Sequence, residues 1–225
     1  MQLTKDQIQQ IETYLSSCVE WYDVRMELID HFAMAVSAEL KENPIQSFKQ
    51  ALNQVHKNFG TNGFKDLLAT KTKVVEKQFY KSAFKYFAGF FKLPRIILTG
   101  FSFWALVILL SNIENKENFF LTLSAIALFI AALLLYRSLK LSIKKGEKIL
   151  VLNQARSYLH IIQSLYIILN SFTTFRHHNF SNDFANYLDL ALYVLLTLFL
   201  ISCEYVYYRL KKDIKNQFPN LKLAQ

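Results

Sequence analysis

The sequence predicts an all-α protein with an N-terminal cytosolic three-helix domain, an amphipathic connecting helix and a four-helix transmembrane bundle. Three observations carry this. Hydrophobic residues make up 52% and aromatic residues 15% of the 225, both above a soluble average. The excess is concentrated after residue 95 in long apolar runs, while residues 1–90 keep the mixed pattern of a water-soluble helical protein. Five Gly and three Pro are too few for the turns a sheet protein needs, which favours long helices.

Thr4 and Gln7 have capping-box spacing, and Ile8, Ile11, Tyr14 and Leu15 recur with helical period, predicting a first helix over Lys5–Cys18. Asp23 is a good N-cap for a second helix, whose Val24, Leu28, Ile29, Phe32, Ala35, Val36 and Leu40 form one broad stripe ending near Asn43. Asn43-Pro44-Ile45-Gln46 then reads as the start of a third helix, with Asn as cap and Pro at the first position, and Gly60 closes it. Ile8, Ile11, Leu15, Leu28, Phe32, Val36, Phe48, Leu52, Val55 and Phe59 are the expected core of a domain spanning residues 1–63. About 60 residues give only marginal stability alone, so contact with another part of the chain or a partner is expected to help.

Residues 64–94 read as a connecting helix stopped by Pro94. Lys73, Lys77, Lys81 and Lys85 are four apart and share one face, and Phe79, Tyr80, Phe84, Phe87, Phe90 and Phe91 add aromatic surface. A helix of that character beside a membrane span is expected to lie on anionic lipid.

A helix needs roughly 20 apolar residues to cross a bilayer core of about 30 Å. Within 95–210 four segments qualify, at 96–113, 119–136, 158–175 and 187–207. The third is interrupted by His160, Gln163 and Asn170, and the fourth carries Asp189 and Glu204 near its ends, so both are expected to face the bundle. His160 and Glu204 fall at similar depth in an antiparallel pair and are expected to interact across it. Tyr136, Tyr158, Tyr187, Tyr205, Tyr207 and Tyr208 sit at the span ends, where an amphipathic ring favours the interface.

Cationic loops stay on the cytosolic side. Lys85, Lys92 and Arg95 precede the first span, Arg137, Lys140, Lys144, Lys145, Lys148 and Arg156 fill the second loop, and Arg209, Lys211, Lys212 and Lys215 follow the last. The outer loops carry only Lys116 with Glu114 and Glu117, and Arg176 with Asp183. Both termini, including a basic tail over 211–225, are therefore expected in the cytosol of an inner (plasma) membrane protein. The net charge of +9 follows from orientation and anionic lipid, and direct nucleic-acid binding is not expected. Met1–Leu15 contains no apolar h-region, so no cleaved secretory signal is expected and the first span acts as the insertion signal.

Cys18 and Cys203 give neither a disulfide framework nor a metal pair. No Gly-rich phosphate loop, HExxH, GxSxG or catalytic Cys–His pair is present, so neither an enzyme nor a cofactor is expected. The densest polar cluster is Arg25, Glu27, Asp30 and His31. Glu27 and His31 share a helix face, and a metal there would need further donors, with His56 the one other His of the cytosolic half. The alternative is a surface network of Arg25 with Glu27 or Asp30.

The run from Tyr14 to Gly60, with Tyr14, Leu15, Arg25, Glu27, Asp30, His31, Phe32, Ala51 and Gly60 as carriers, resembles the helical signalling domain associated with helix-turn-helix regulators, the HAAS domain. In that family a "YL" helix precedes an "R-x-E-x-x-x-D/E-H-F" helix and several membrane spans follow. The resemblance implies a non-enzymatic regulatory protein whose cytosolic domain binds a PadR-like regulator, with Arg25, Glu27, Asp30 and His31 as a partner-binding or structural cluster. The alternative is a structural or accessory subunit of a larger inner-membrane complex.

Overall fold

The computed structural model describes residues 3–58, 64–140, 147–175 and 183–219. Phe59, the Gly60 helix stop, Lys144, Lys145, Arg176 and the tail beyond Pro219 lie outside these residues. Among the described residues there are eight helices: α1 (Lys5–Cys18), α2 (Tyr22–Glu42), α3 (Phe48–Lys57), α4 (Phe64–Gly89), α5 (Arg95–Asn112), α6 (Lys116–Lys140), α7 (Leu150–Phe175) and α8 (Asp183–Gln217). A parallel β-bridge pairs Trp21 with Lys148. The chain forms two compact units.

The first unit contains α1, α2, α3 and α4 as far as Val75, joined by a later segment ending at Gln154. α1 starts as the sequence predicts: Thr4 donates its N–H to Gln7 Oε1 at 2.9 Å, and Gln7 N–H donates to Thr4 Oγ1 at 3.3 Å. The start of α3 differs. Ser47, not Asn43, is the cap; Ser47 N–H donates to Gln50 Oε1 at 3.0 Å and Gln50 N–H donates to Ser47 Oγ at 3.3 Å. A reciprocal box satisfies two end donors at once, whereas the Asn43-Pro44 cap would satisfy one, and residues 43–46 form a turn instead.

The core holds Ile11, Leu15, Val19, Val24, Leu28, Ile29, Phe32, Val36, Ala51, Leu52, Val55, Phe64 and Leu150. Phe48 lies at its edge, and Ile8, expected inside, is 39% exposed. Within α1 only Ile11 and Leu15 are buried.

In the second unit, Ala83, Ala127, Ala131 and Ala155 are essentially inaccessible and pack with Phe79, Tyr158, Leu159, Tyr166, Leu200, Cys203 and Tyr207. Small side chains let helix backbones approach closely where the outer solvent offers no hydrophobic drive. Large apolar side chains point outward: Leu98 is 69%, Phe129 65% and Trp104 58% exposed. Phe79 is 2% exposed, so it is core and not part of the aromatic surface. Tyr158 and Tyr207 are likewise buried, eight residues after the start of α7 and ten before the end of α8.

Among the described residues three helices are long and apolar enough to cross a membrane, at Arg95–Asn112, Lys116–Leu134 and within Asp183–Gln217. α8 is 35 residues long, about 52 Å at about 1.5 Å per residue, and so exceeds a bilayer core. α7 has the length, at 26 residues, but His160, Gln163 and Asn170 lower its apolarity and it is not among the three. Its polarity is sided. Gln163 and Asn170 are buried, whereas Ile161, Leu165 and Ile168 are about half exposed.

Candidate functional site

The polar cluster on α2 does not converge on one point. Arg25 Nη2 donates to Glu147 Oε2 at 2.9 Å, its side chain only 15% exposed, and its guanidinium lies 5.5 Å from the centre of the Tyr22 ring. The expected partners Glu27 and Asp30 are not those of this ion pair; Glu27 instead pairs with Lys71 of α4. An α-helix presents Arg25 and Glu27 about 200° apart, which sends the two side chains to different neighbours. Asp30 and His31 are exposed. Met26 and Met34, four residues either side of Asp30, are also exposed, at 39% and 63%. His56 stands edge-on to Tyr14 at 5.7 Å and to Phe64 at 5.3 Å between ring centres. Among the described residues no three His, Cys, Asp or Glu side chains gather as a metal site would need.

Arg25 points to a connection that spacing in the sequence does not reveal. Residues 147–151 lie along the start of α2. Trp21 bridges Lys148, and Tyr22 N–H donates to the Lys148 carbonyl at 2.8 Å. Lys148 also pairs with Glu20. Asp23 does not cap α2: that N-cap is Trp21, with no side-chain bond. Its carboxylate instead accepts from Leu150 N–H at 2.9 Å and from Val151 N–H at 3.3 Å, so Asp23 caps α7 from 127 residues away. The positive end of a helix favours a carboxylate there.

Magnitudes rank these contacts. Glu20 and Lys148 are each more than half exposed, and such a pair contributes about 0–1 kcal/mol. Ile149, Leu150 and Leu152 are 3 to 8% exposed, and burying an aliphatic side chain contributes roughly 1.5–3 kcal/mol. Apolar burial therefore holds the segment, while Asp23 and Arg25 fix its register.

Lys73, Lys77, Lys81 and Lys85 are all exposed along α4, opposite the buried Val75, Phe79 and Ala83. Within the second unit Glu204 accepts from Gln163 Nε2 at 2.8 Å, and Tyr166 and Thr197 hydroxyls meet at 3.0 Å. Gln163 was legible as a polar interruption but not as the partner of Glu204, because an amide donor carries no charge signal. His160 is half-buried one turn earlier on α7. No protein-family model matches the chain, and neither a curated protein nor a solved structure matches it.

Proposed function

We propose that the chain is a non-enzymatic, membrane-anchored regulatory protein whose first unit is a HAAS-like domain that binds a cytosolic regulator of PadR-like type. The observation that carries this reading is the hold of α2 on the first turn of α7 through Asp23 and Arg25. The first turn of the 26-residue α7 is thus part of the domain's own structure. The carriers of the resemblance divide accordingly. Leu15, Phe32 and Ala51 are wholly buried and build the domain, Arg25 and Glu27 tie it down, and Asp30 and His31 stay exposed between Met26 and Met34. Adaptable Met side chains around charged groups suit a partner helix.

α7 is proposed as the fourth span, its polar residues turned to the bundle and its outer face apolar. His160 is proposed to share the Glu204 carboxylate with Gln163. Two contacts support both termini in the cytosol: residues 20–25 touch 147–151, the segment leading into α7, and Lys116 pairs with Asp183, joining the starts of α6 and α8. The lysines of α4 then lie at the anionic inner leaflet. Cys18 is exposed and serves as a native probe of sidedness. In intact cells an impermeant maleimide leaves Cys18 unlabelled and labels an introduced Asn115→Cys, and permeabilisation exposes Cys18; the reverse pattern overturns this orientation.

The partner reading is tested by affinity capture on the full chain in detergent. A soluble helix-turn-helix regulator is recovered with the wild type, and Asp30→Lys with Met34→Glu reduces recovery at least about tenfold while circular dichroism is unchanged. Recovery of integral membrane subunits alone, insensitive to that double substitution, rejects the regulator and favours an accessory role.

A further inference from the structure

A cleft of about 570 Å³ in the second unit gathers Lys85 of α4, Arg95 at the start of α5 and Arg209 of α8. Gly89, Val206 and Leu210 help to line it, and Asp213 is its one carboxylate. Arg209 donates to the Tyr86 hydroxyl and stands 3.9 Å from Asp213. The Tyr86 ring is fixed by Tyr205, with ring centres 4.4 Å apart. Arg95 reaches over Gly89, its Nη1 3.6 Å from where a Cβ would stand. Three cations against one carboxylate leave the cleft with an unmatched charge of about two, and like charges held together are unfavourable until an anion enters. Guanidinium groups recognise phosphate oxygens in bidentate fashion, with lysine adding a point charge.

The apolar rim points to the form the phosphate takes. Leu93, Ile96 and Ile97 are 79%, 41% and 66% exposed beside Arg95, and Tyr205 is 51% exposed beside the cleft. The apolar run of α5 begins where the cleft lies, and the basic end of α8 begins there too. We propose that this cleft binds the phosphate of one anionic phospholipid, with Lys85, Arg95 and Arg209 on the phosphate oxygens and the acyl chains along the exposed face of α5. The site rests on the membrane-spanning reading above and adds a discrete, stoichiometric lipid to the general attraction of the lysine face.

Native mass spectrometry of the detergent-purified full chain tests it with dioleoyl phosphatidylglycerol, dioleoyl phosphatidylcholine and inorganic phosphate as probes. The wild type holds one phosphatidylglycerol at least about tenfold more tightly than phosphatidylcholine, and millimolar inorganic phosphate does not displace it. Lys85→Gln/Arg95→Gln/Arg209→Gln abolishes the preference, whereas Lys41→Gln/Lys49→Gln/Lys57→Gln, with the same charge loss in the first unit, retains it. Arg95 takes part in no ion pair among the described residues, so Arg95→Gln alone keeps the fold and still weakens the preference several-fold. An undiminished preference in the cleft variants, or an equal loss in both triple variants, overturns the site, and displacement by inorganic phosphate overturns the lipid as its occupant. Retention of the chain in membranes after an alkaline carbonate wash separates these failures from that of the membrane reading, which release into the supernatant would overturn.

Discussion

Phe32→Ala destabilises the first unit by about 3–5 kcal/mol. Phe32 is wholly buried in the middle of α2, its ring centre 5.7 Å from that of Phe64, with Ile11, Leu15, Val36, Leu52 and Val55 in the same cluster. Removing the ring forfeits its transfer energy and leaves a cavity whose walls, three helices and the start of α4, can close only in part. Domains have about 5–15 kcal/mol in all, so the loss is a large share of the total. The measurement is protease resistance of the first unit in the full detergent-solubilised chain, with Trp21 emission as a second readout because Trp21 packs on this core. Ile8→Ala is the control. At 39% exposure it costs about 1 kcal/mol or less. Equal sensitivity at Ile8 and Phe32 would return the core to the one read from the sequence and reject the packing described above.

What could be read in the sequence was local. The Thr4–Gln7 box and the stripe of α2 depend on neighbours three or four residues apart, and the helices follow them. Long apolar runs mark α5, α6 and α8 for the same reason. The misreadings share one cause, a side chain that serves a distant element. Asp23 has every local mark of an N-cap for α2, yet its oxygens are used by α7. Leu150 is a core residue of the N-terminal unit, but in sequence it stands beside a basic loop after the second apolar run and carries no sign of that destination. Phe79 is one aromatic among six on a helix that has aromatic residues on several faces, so composition cannot tell the buried one from the rest. The α3 start was a contest between two valid local signals, and the one satisfying more backbone donors prevailed. Of the site, the identity of the polar residues on α2 was legible, while their partners were not, because Glu147 and Lys71 lie 122 and 44 residues from theirs.

Asp23→Ala loosens the first turn of α7 by about 1–2 kcal/mol. The carboxylate satisfies two of the four backbone donors left over at that helix start, and loss of a cap costs roughly 0.5–2 kcal/mol. A carboxylate at the positive end of a helix adds about 0.3–1 kcal/mol at exposed sites, and both contacts here are part-buried. Asp23→Asn separates the two contributions, since it keeps an acceptor oxygen and removes the charge; its expected loss is the smaller. Hydrogen exchange on the full chain locates the effect. If Asp23 acts on α7, exchange accelerates at Leu150 and Val151 by roughly five- to thirtyfold, the factor corresponding to about 1–2 kcal/mol, and the first turn of α2 is unchanged. Faster exchange at Val24–Glu27, with Leu150 and Val151 unaffected, would restore Asp23 as the cap of α2 and cut the connection on which the regulatory proposal depends. Because Arg25 and Glu147 hold the same segment by an independent ion pair, Asp23→Ala with Arg25→Ala is expected to free residues 147–151 more than either change alone. A partner response that survives that double substitution would reject this contact as the support of the regulatory proposal.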